Sequence, residues 1–303
     1  MHDSTKPYRG RFAPSPTGPL HFGSLVAAVG SYLDARANAG AWLVRMEDLD
    51  PPREAGGAAD AILDTLQAYG FEWDGVVMRQ SSRVPAYAAA LERLARDGAV
   101  FPCACTRREI ADWSLGAVSE PVYPGTCRNG LPPGRAPRAV RARVGNVVIA
   151  FEDRVQGRIE QNLARDVGDF VVRRSDGPFA YQLAVVVDDF EQGITDVVRG
   201  ADLLASTPRQ ILLQRLLGYP TPRYAHLPVA VNRDGEKLSK QTLAAPLPVE
   251  DAPAQIWEAL RFLGQEPPED LRRSGVPALW TWALANWHMG KVPRRQSVRA
   301  DHG

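Results

Sequence analysis

The chain has 303 residues, 45% of them hydrophobic, with 36 basic against 35 acidic side chains and a formal net charge of +1. That length suits one large domain or two, and the near-zero charge excludes a strongly basic nucleic-acid arm or an acidic solvating chain, though not a local basic face. No apolar run approaches the roughly 18 residues needed to span a bilayer, and residues 1–8 hold no apolar signal core. The three cysteines, at 103, 105 and 127, are an odd and clustered set, which argues against a disulfide scaffold. The expectation is a cytoplasmic protein with no membrane partner.

Residues 9–13 (RGRFA) predict a short strand, followed by a loop with three prolines. Leu25, Val29 and Leu33 then fall at helical spacing, and residues 41–46 (AWLVRM) read as a buried strand. Strand, helix and strand in so few residues form a βαβ unit, which implies a parallel sheet. A second helix fits Ile62, Leu66 and Tyr69, and a third fits Tyr87, Leu91 and Leu94 with Gly98 as its cap. Residues 101–137 break this rhythm: they hold all three cysteines and six prolines, and read as an insertion. Residues 138–160 predict short antiparallel strands, and 170–174 and the stretch from Phe179 flank an Asp176-Gly177 turn. The apolar run 183–187 ends in Asp188-Asp189, and 194–198 is another strand candidate, followed by a helix through Ile211, Leu213, Leu216 and Leu217. Residues 227–231 precede a second Asp-Gly turn at 234–235. Ile256, Leu260 and Leu263 share one helical face; Trp280, Leu284 and Trp287 share another, which favours a helical core over base stacking. The basic last dozen residues read as frayed. The fold class that follows is α/β, a doubly wound parallel sheet, with residues 1–241 as the main domain and 242–303 as a short helical segment.

Two stretches carry chemistry. RFAPSPTGPLHFGS at 11–24 lies at the carboxyl end of the first strand, where open α/β sheets bind ligands, and brings His21 and Gly23 to a helix start suited to phosphate. KLSKQ at 237–241 follows a strand and a turn, and its lysines, Lys237 and Lys240, could clamp a polyphosphate. Taken singly, the histidine is a cap and the lysines a solvated face; their joint occurrence points to a nucleotide site.

At these residues the chain resembles the class I aminoacyl-tRNA synthetases. HFGS stands where that family has its HIGH-type signature, with Ser24 in place of the final histidine, and KLSKQ where it has the KMSKS-type loop. The stretch 11–24 with VRMEDLDPPR at 44–53 is similar to the glutamyl subgroup, across about residues 9–241. The 62 residues after Gln241 are too few for the helical anticodon-binding region of a full glutamyl-tRNA synthetase, so the expectation is a short paralogue without that domain. The resemblance implies tRNA-independent activation of L-glutamate with ATP and Mg²⁺, then transfer of glutamate to the queuosine base in the anticodon loop of tRNA(Asp). It implies catalytic roles for His21 and Lys240, with ATP held by His21, Gly23, Lys237 and Lys240. Glutamate would be held by Arg11, Phe12, Ala13, Pro14, Ser15, Glu47, Tyr181 and Arg199. The chemistry is consistent: arginine forks suit carboxylates, Glu47 suits an ammonium, and Tyr181 adds a hydroxyl donor.

The spacing of Cys103, Cys105 and Cys127 leaves open a metal site or three free cysteines. The resemblance favours one structural Zn²⁺, with Tyr123 as fourth ligand. Arg128, Arg135, Arg138, Arg141 and Arg143 form a local run without acids, either an RNA phosphate patch or a solvated loop. Two rival readings are a truncated synthetase charging a tRNA 3′ end and a small-molecule nucleotidylyltransferase. A non-catalytic RNA-binding paralogue is a third, which the presence of His21, Glu47 and Lys240 disfavours.

Overall fold

The computed structural model describes residues 7–113, 122–238 and 245–300. In chain order its elements are β1 (Arg9–Phe12), α1 (Phe22–Ala37), β2 (Ala41–Met46), α2 (Ala58–Ala68), β3 (Met78–Arg79), α3 (Val84–Arg96), β4 (Val100–Cys103) and α4 (Arg107–Trp113). Next come β5 (Ala139–Ala142), β6 (Val148–Asp153), β7 (Gly157–Asn162), α5 (Leu163–Asp166), β8 (Val171–Arg173), α6 (Tyr181–Glu191), β9 (Asp196–Gly200), α7 (Thr207–Leu216), β10 (Arg223–Leu227) and β11 (Val229–Val231). The chain closes with α8 (Ala252–Phe262), α9 (Val276–Asn286) and β12 (Ser297–Arg299).

Two ladders make the central layer. One runs β1-β2-β3 and is parallel throughout; the other runs β7-β6-β10-β9, with β6, β10 and β9 parallel and β7 an antiparallel edge. They meet at β1 and β9: Thr195 N–H donates to the Arg9 carbonyl at 3.0 Å, and Arg9 N–H donates to Thr195 Oγ1 at 2.8 Å. From this seam β2 and β3 follow β1 on one side and β10 follows β9 on the other, with a crevice beyond the carboxyl ends of β1 and β9. Helices cover both faces. Helices α1, α8 and α9 share one apolar cluster with Phe12, Val44 and Val198; α3, α6 and α7 share another with Val197 and Tyr224. A separate antiparallel sheet, β4-β5-β8, carries the cysteine region.

Helix α1 shows how the sequence builds a layer. Its apolar residues recur at helical spacing, and Leu25, Val29 and Leu33 are all buried. Gly30 lets it close on the sheet: a Cβ there would lie 2.5 Å from Leu227 Cδ1. A Gly30→Ala variant gains about 1 kcal/mol of helix propensity but overpacks a site where overpacking costs about 1–3 kcal/mol. The expected net is a loss of about 1 kcal/mol, read as a lower urea midpoint and recovered by adding Leu227→Val. An unchanged midpoint in the single variant would show that Leu227 has room to move.

Several expectations change. The run 183–187, set among strand candidates, lies in helix α6 and is buried along its whole length, so no polar face marks its period. The hairpin about Asp176-Gly177 is β8 with a single bridge from Arg173 to Phe179 before α6 begins. The strands of 138–160 divide between two sheets, β5 with β4 and β8, and β6 with β7. Within the end expected to fray, Ser297–Arg299 form β12, paired in parallel with β11, and residues 301–303 lie outside the described residues. Trp280 is buried and donates from Nε1 to the Tyr69 carbonyl at 2.9 Å, in keeping with a helical core. The arginine run is largely turned to structure. Arg128 pairs with Asp169 at 2.8 Å and Arg135 with Glu109 at 2.7 Å, while Arg141 is buried and donates to the Asp169 carbonyl at 2.8 Å. Their partners come from elsewhere in the chain, which a local count of charges does not register. Among the described residues no helix is long and apolar enough to cross a membrane.

Candidate active site

The crevice at the β1–β9 seam is a cleft of about 480 Å³. Arg11, Phe12, Ala13, Pro14, Ser15, His21, Gly23, Glu47, Tyr181, Arg199 and Lys237 all line it. Lys240 lies outside the described residues. The elements explain the convergence. Residues 11–15 run off the end of β1, and Glu47, just past β2, is tied to them by its N–H to the Pro14 carbonyl at 2.9 Å. Tyr181 opens α6, Arg199 sits near the end of β9, and Lys237 bridges back to Val231 of β11.

At one end the cleft meets the start of α1. His21 is the N-cap: Ser24 N–H donates to His21 Nδ1 at 3.3 Å, and His21 N–H donates to Ser24 Oγ at 3.4 Å. This capping box gives Ser24 a role of its own at the HIGH-type signature. In the neutral ring it leaves the proton on Nε2, the form that can donate to a phosphate. A Cβ at Gly23 would come within 3.2 Å of the Leu238 carbonyl, so glycine lets the lysine segment approach the helix start. Lys237 Nζ lies 2.6 Å from Asp202 Oδ2.

The other end gathers buried charge of both signs. Arg11 donates from Nε and Nη2 to the two oxygens of Asp189 at 3.2 and 3.4 Å. Arg45, fully buried, lies 2.8 Å from Asp189 and 3.3 Å from Glu47. Burial pushes the Glu47 carboxyl above its ordinary range against the pull of Arg45 and Arg11, so a ligand ammonium would relieve a desolvated anion there. Burial likewise raises the Tyr181 phenol and keeps it a donor. Arg199 donates from Nε to His226 Nε2 at 3.1 Å, from Nη1 to Tyr181 OH at 3.2 Å, and from Nη2 to Thr207 Oγ1 and Gln210 Oε1, both at 2.8 Å. Four of its five N–H groups thus have partners among the described residues, which leaves one Nη1 hydrogen for a ligand. Because the Tyr181 oxygen accepts from Arg199, its own proton is directed elsewhere. The donors left on the cleft side are therefore Arg199 Nη1 and Tyr181 OH, fewer than the two-armed arginine fork expected from sequence.

In the insertion, the sulfurs of Cys103, Cys105 and Cys127 lie within 4.8 Å of one another, with Cys105 and Cys127 at 3.7 Å. Tyr123 OH is 3.5 Å from Cys103 Sγ and 3.8 Å from Cys105 Sγ, and accepts from Cys127 N–H at 2.8 Å. Arg141 donates to Cys103 Sγ at 3.3 Å and lies over the Tyr123 ring at 4.0 Å. Burial raises the Cys103 thiol, but its contact with the Tyr123 hydroxyl and the hydrogen bond from Arg141 outweigh it and hold the thiol below its ordinary range. Burial and the neighbouring sulfurs push Cys105 up to about 11.

Sequence reasoning did not single out Asp189, Thr207, Asp202, Gln210 or His226. Asp189 left a trace as the acid ending an apolar run, and His226 as a polar residue inside a buried strand. Thr207 and Gln210 left none, because a helix residue's partner in another element is invisible in its own window.

The chain matches the family of tRNA synthetases class I (E and Q), catalytic domain, over residues 8–263. It is 60% identical over 300 residues to the glutamyl-Q tRNA(Asp) synthetase of Aromatoleum aromaticum, covering 99% of this chain and 95% of that one. It is 63% identical over 294 residues to the protein of the same name from Dechloromonas aromatica, covering 96% and 98%. Its fold is similar to a solved glutamate tRNA ligase from Elizabethkingia meningosepticum, in complex with its amino acid, at a TM-score of 0.82 and 25% identity, covering 98% of this chain and 67% of that one. With the family match spanning most of its length, and with Lys237 and residues of the first signature stretch lining one cleft, this chain belongs to the class I tRNA synthetases (E and Q).

Proposed function

We propose that this chain activates L-glutamate with ATP and Mg²⁺ in the absence of tRNA, then transfers the glutamyl group to the queuosine base of tRNA(Asp). The observation that carries the reading is the cleft. A helix start and lysine segment suited to phosphate adjoin a buried set of Arg11, Glu47, Tyr181 and Arg199 suited to an amino acid with a second carboxylate. The RNA acceptor rests on the names of relatives that align over nearly the whole chain. In the first step the glutamate α-carboxylate attacks the α-phosphorus of ATP, the bond to the β-phosphate oxygen breaks, and pyrophosphate leaves with that oxygen. A carboxylate needs no general base, so the residues position the reactants and neutralise charge. His21 and Gly23 serve the phosphates at the helix start, with Lys237 and Lys240 as the cations, and residues 11–15 form the amino-acid wall. In the second step a hydroxyl of the queuosine base attacks the acyl carbon, the bond from that carbon to the AMP phosphate oxygen breaks, AMP leaves with that oxygen, and the hydroxyl proton passes to solvent.

The test is ATP–pyrophosphate exchange with glutamate and no RNA, followed by transfer of labelled glutamate to tRNA(Asp) with and without queuosine. Exchange with glutamate but not with glutamine or aspartate, and transfer only to queuosine-bearing tRNA, is the expected result. Exchange that waits for tRNA(Glu) would overturn it in favour of 3′-end charging. We read the domain holding the cleft, residues 1–241, as a doubly wound nucleotide-binding unit, with 242–303 as a short helical addition.

We further propose one structural zinc in the insertion at about 101–137. The donor set fits. A tetrahedron on Zn–S bonds of about 2.3 Å has edges of about 3.8 Å, close to the 3.7 Å between Cys105 and Cys127. The surrounding apolar cluster is small, built on Phe101, Ala104 and the ligating residues themselves, so a staple has work to do. Tyr123, whose hydroxyl lies 3.5 Å from Cys103 Sγ and 3.8 Å from Cys105 Sγ, would take the fourth corner. Purified protein is expected to hold one zinc per chain by elemental analysis, and Tyr123→Phe to bind it more weakly in a chelator titration. Equal zinc affinity in that variant would assign the fourth position to water or another group.

A further inference from the structure

Arg199 is held in the cleft by a chain of buried groups that begins on two neighbouring strands. Asp153 ends β6, and His226 lies on β10 beside it. Asp153 Oδ1 accepts the N–H groups of Val155, Gln156 and His226 at 3.0, 2.9 and 3.1 Å, and Oδ2 lies 2.6 Å from His226 Nδ1. Burial raises this carboxyl, but those hydrogen bonds outweigh it and hold it below its ordinary range, so it is a fixed anion. An anion at Nδ1 puts the ring proton there and makes Nε2 an acceptor. The ring is fully buried, and burial, with the Arg199 cation beside it, lowers His226 to about 4, so it is neutral at working pH.

We propose that His226, anchored by Asp153, is a positioning residue for glutamate recognition: its Nε2 takes the Arg199 Nε–H and so turns the remaining Nη1 hydrogen, together with the Tyr181 hydroxyl, toward a substrate carboxylate. The inference rests on the reading of the cleft as a glutamate site. Neither His226 nor Asp153 lines the cleft, so their effect passes through the guanidinium. Thr207 and Gln210 fix Nη2, but only His226 takes Nε among the described residues, and that bond sets the rotation of the guanidinium plane.

Two substitutions separate positioning from packing. In His226→Asn the short amide keeps a donor for Asp153 and removes the acceptor for Arg199. In His226→Gln the longer amide returns an acceptor near the Nε2 position. Glutamate-dependent exchange by His226→Asn is expected to show a glutamate KM raised at least about ten-fold, with the KM for ATP within about twofold of wild type. His226→Gln is expected to recover most of the difference. Should His226→Asn fail to fold, Asp153→Asn carries the test, with an expected rise of about threefold in glutamate KM alone. Equal behaviour of the Asn and Gln variants, parallel shifts in both KM values, or a fall in active fraction with both constants unchanged would overturn the inference. A wild type without glutamate-dependent exchange would overturn the reading of the cleft and this inference with it; an active wild type with indifferent variants would overturn this inference alone.

Discussion

An Arg199→Lys enzyme is expected to lose on the order of 100-fold in kcat/KM for glutamate, about 3 kcal/mol of transition-state stabilisation. The charge survives this substitution, so a purely Coulombic role would predict little change. What disappears is a planar set of donors that reaches His226, Tyr181, Thr207 and Gln210 at once. A lysine ammonium is a single point and satisfies only some of these acceptors, leaving the others buried without partners. The loss should fall mainly on glutamate KM, with ATP KM little changed, in ATP–pyrophosphate exchange. A variant within about threefold of wild type would remove Arg199 from amino-acid recognition.

Asp189→Ala is expected to cost about 3–5 kcal/mol of folding stability, the usual penalty for stripping the partner from a buried ion pair. Asp189 holds two guanidinium groups: Arg45 is fully buried and Arg11 nearly so. Removing the carboxylate leaves Glu47 as the nearest anion to Arg45, at 3.3 Å, so two buried cations face one acid. Urea unfolding of the two proteins measures the difference, and a midpoint equal to wild type would show that water or a rearranged Glu47 replaces the pair. The difference should also depend on pH. Burial raises the Asp189 carboxyl, but Arg11 and Arg45 outweigh it and depress the folded-state pKa below the unfolded value of about 3.9. The stabilisation is therefore full above that value and is lost as pH falls through the folded pKa. The gap between wild type and Asp189→Ala should narrow in acid and stay constant from about pH 5 upward.

Some features of this protein are legible in short windows. The spacing of Leu25, Val29 and Leu33 anticipates α1, and the turn before it with the start of α1 contributes His21 and Gly23 to the cleft. The signature stretches at 11–24 and 237–241 point to a nucleotide site because their residue types and order are local. Cys103 and Cys105 are neighbours in sequence, but their spacing to Cys127 leaves a metal site and free cysteines both open, and the fold is what brings the three sulfurs together.

Other features were decided by tertiary structure. The run 183–187 has no polar face to reveal its period, because sheet and helices enclose it on every side, and only that enclosure makes it the helix that delivers Tyr181 and Asp189. The arginine run at 128–143 reads in sequence as an RNA patch or a solvated loop, and the fold brings Asp169 to Arg128 and Glu109 to Arg135, which no local window shows. The basic tail looks frayed until β11 offers it an edge. The sequence by itself determined which residue types could recognise a nucleotide and an amino acid. The structure alone decided which donors remain for a ligand. Arg11 meets Asp189 and Arg199 meets His226 only because the β1–β9 seam brings together segments far apart in the chain, and hydrogen-bond satisfaction is a property of that three-dimensional neighbourhood.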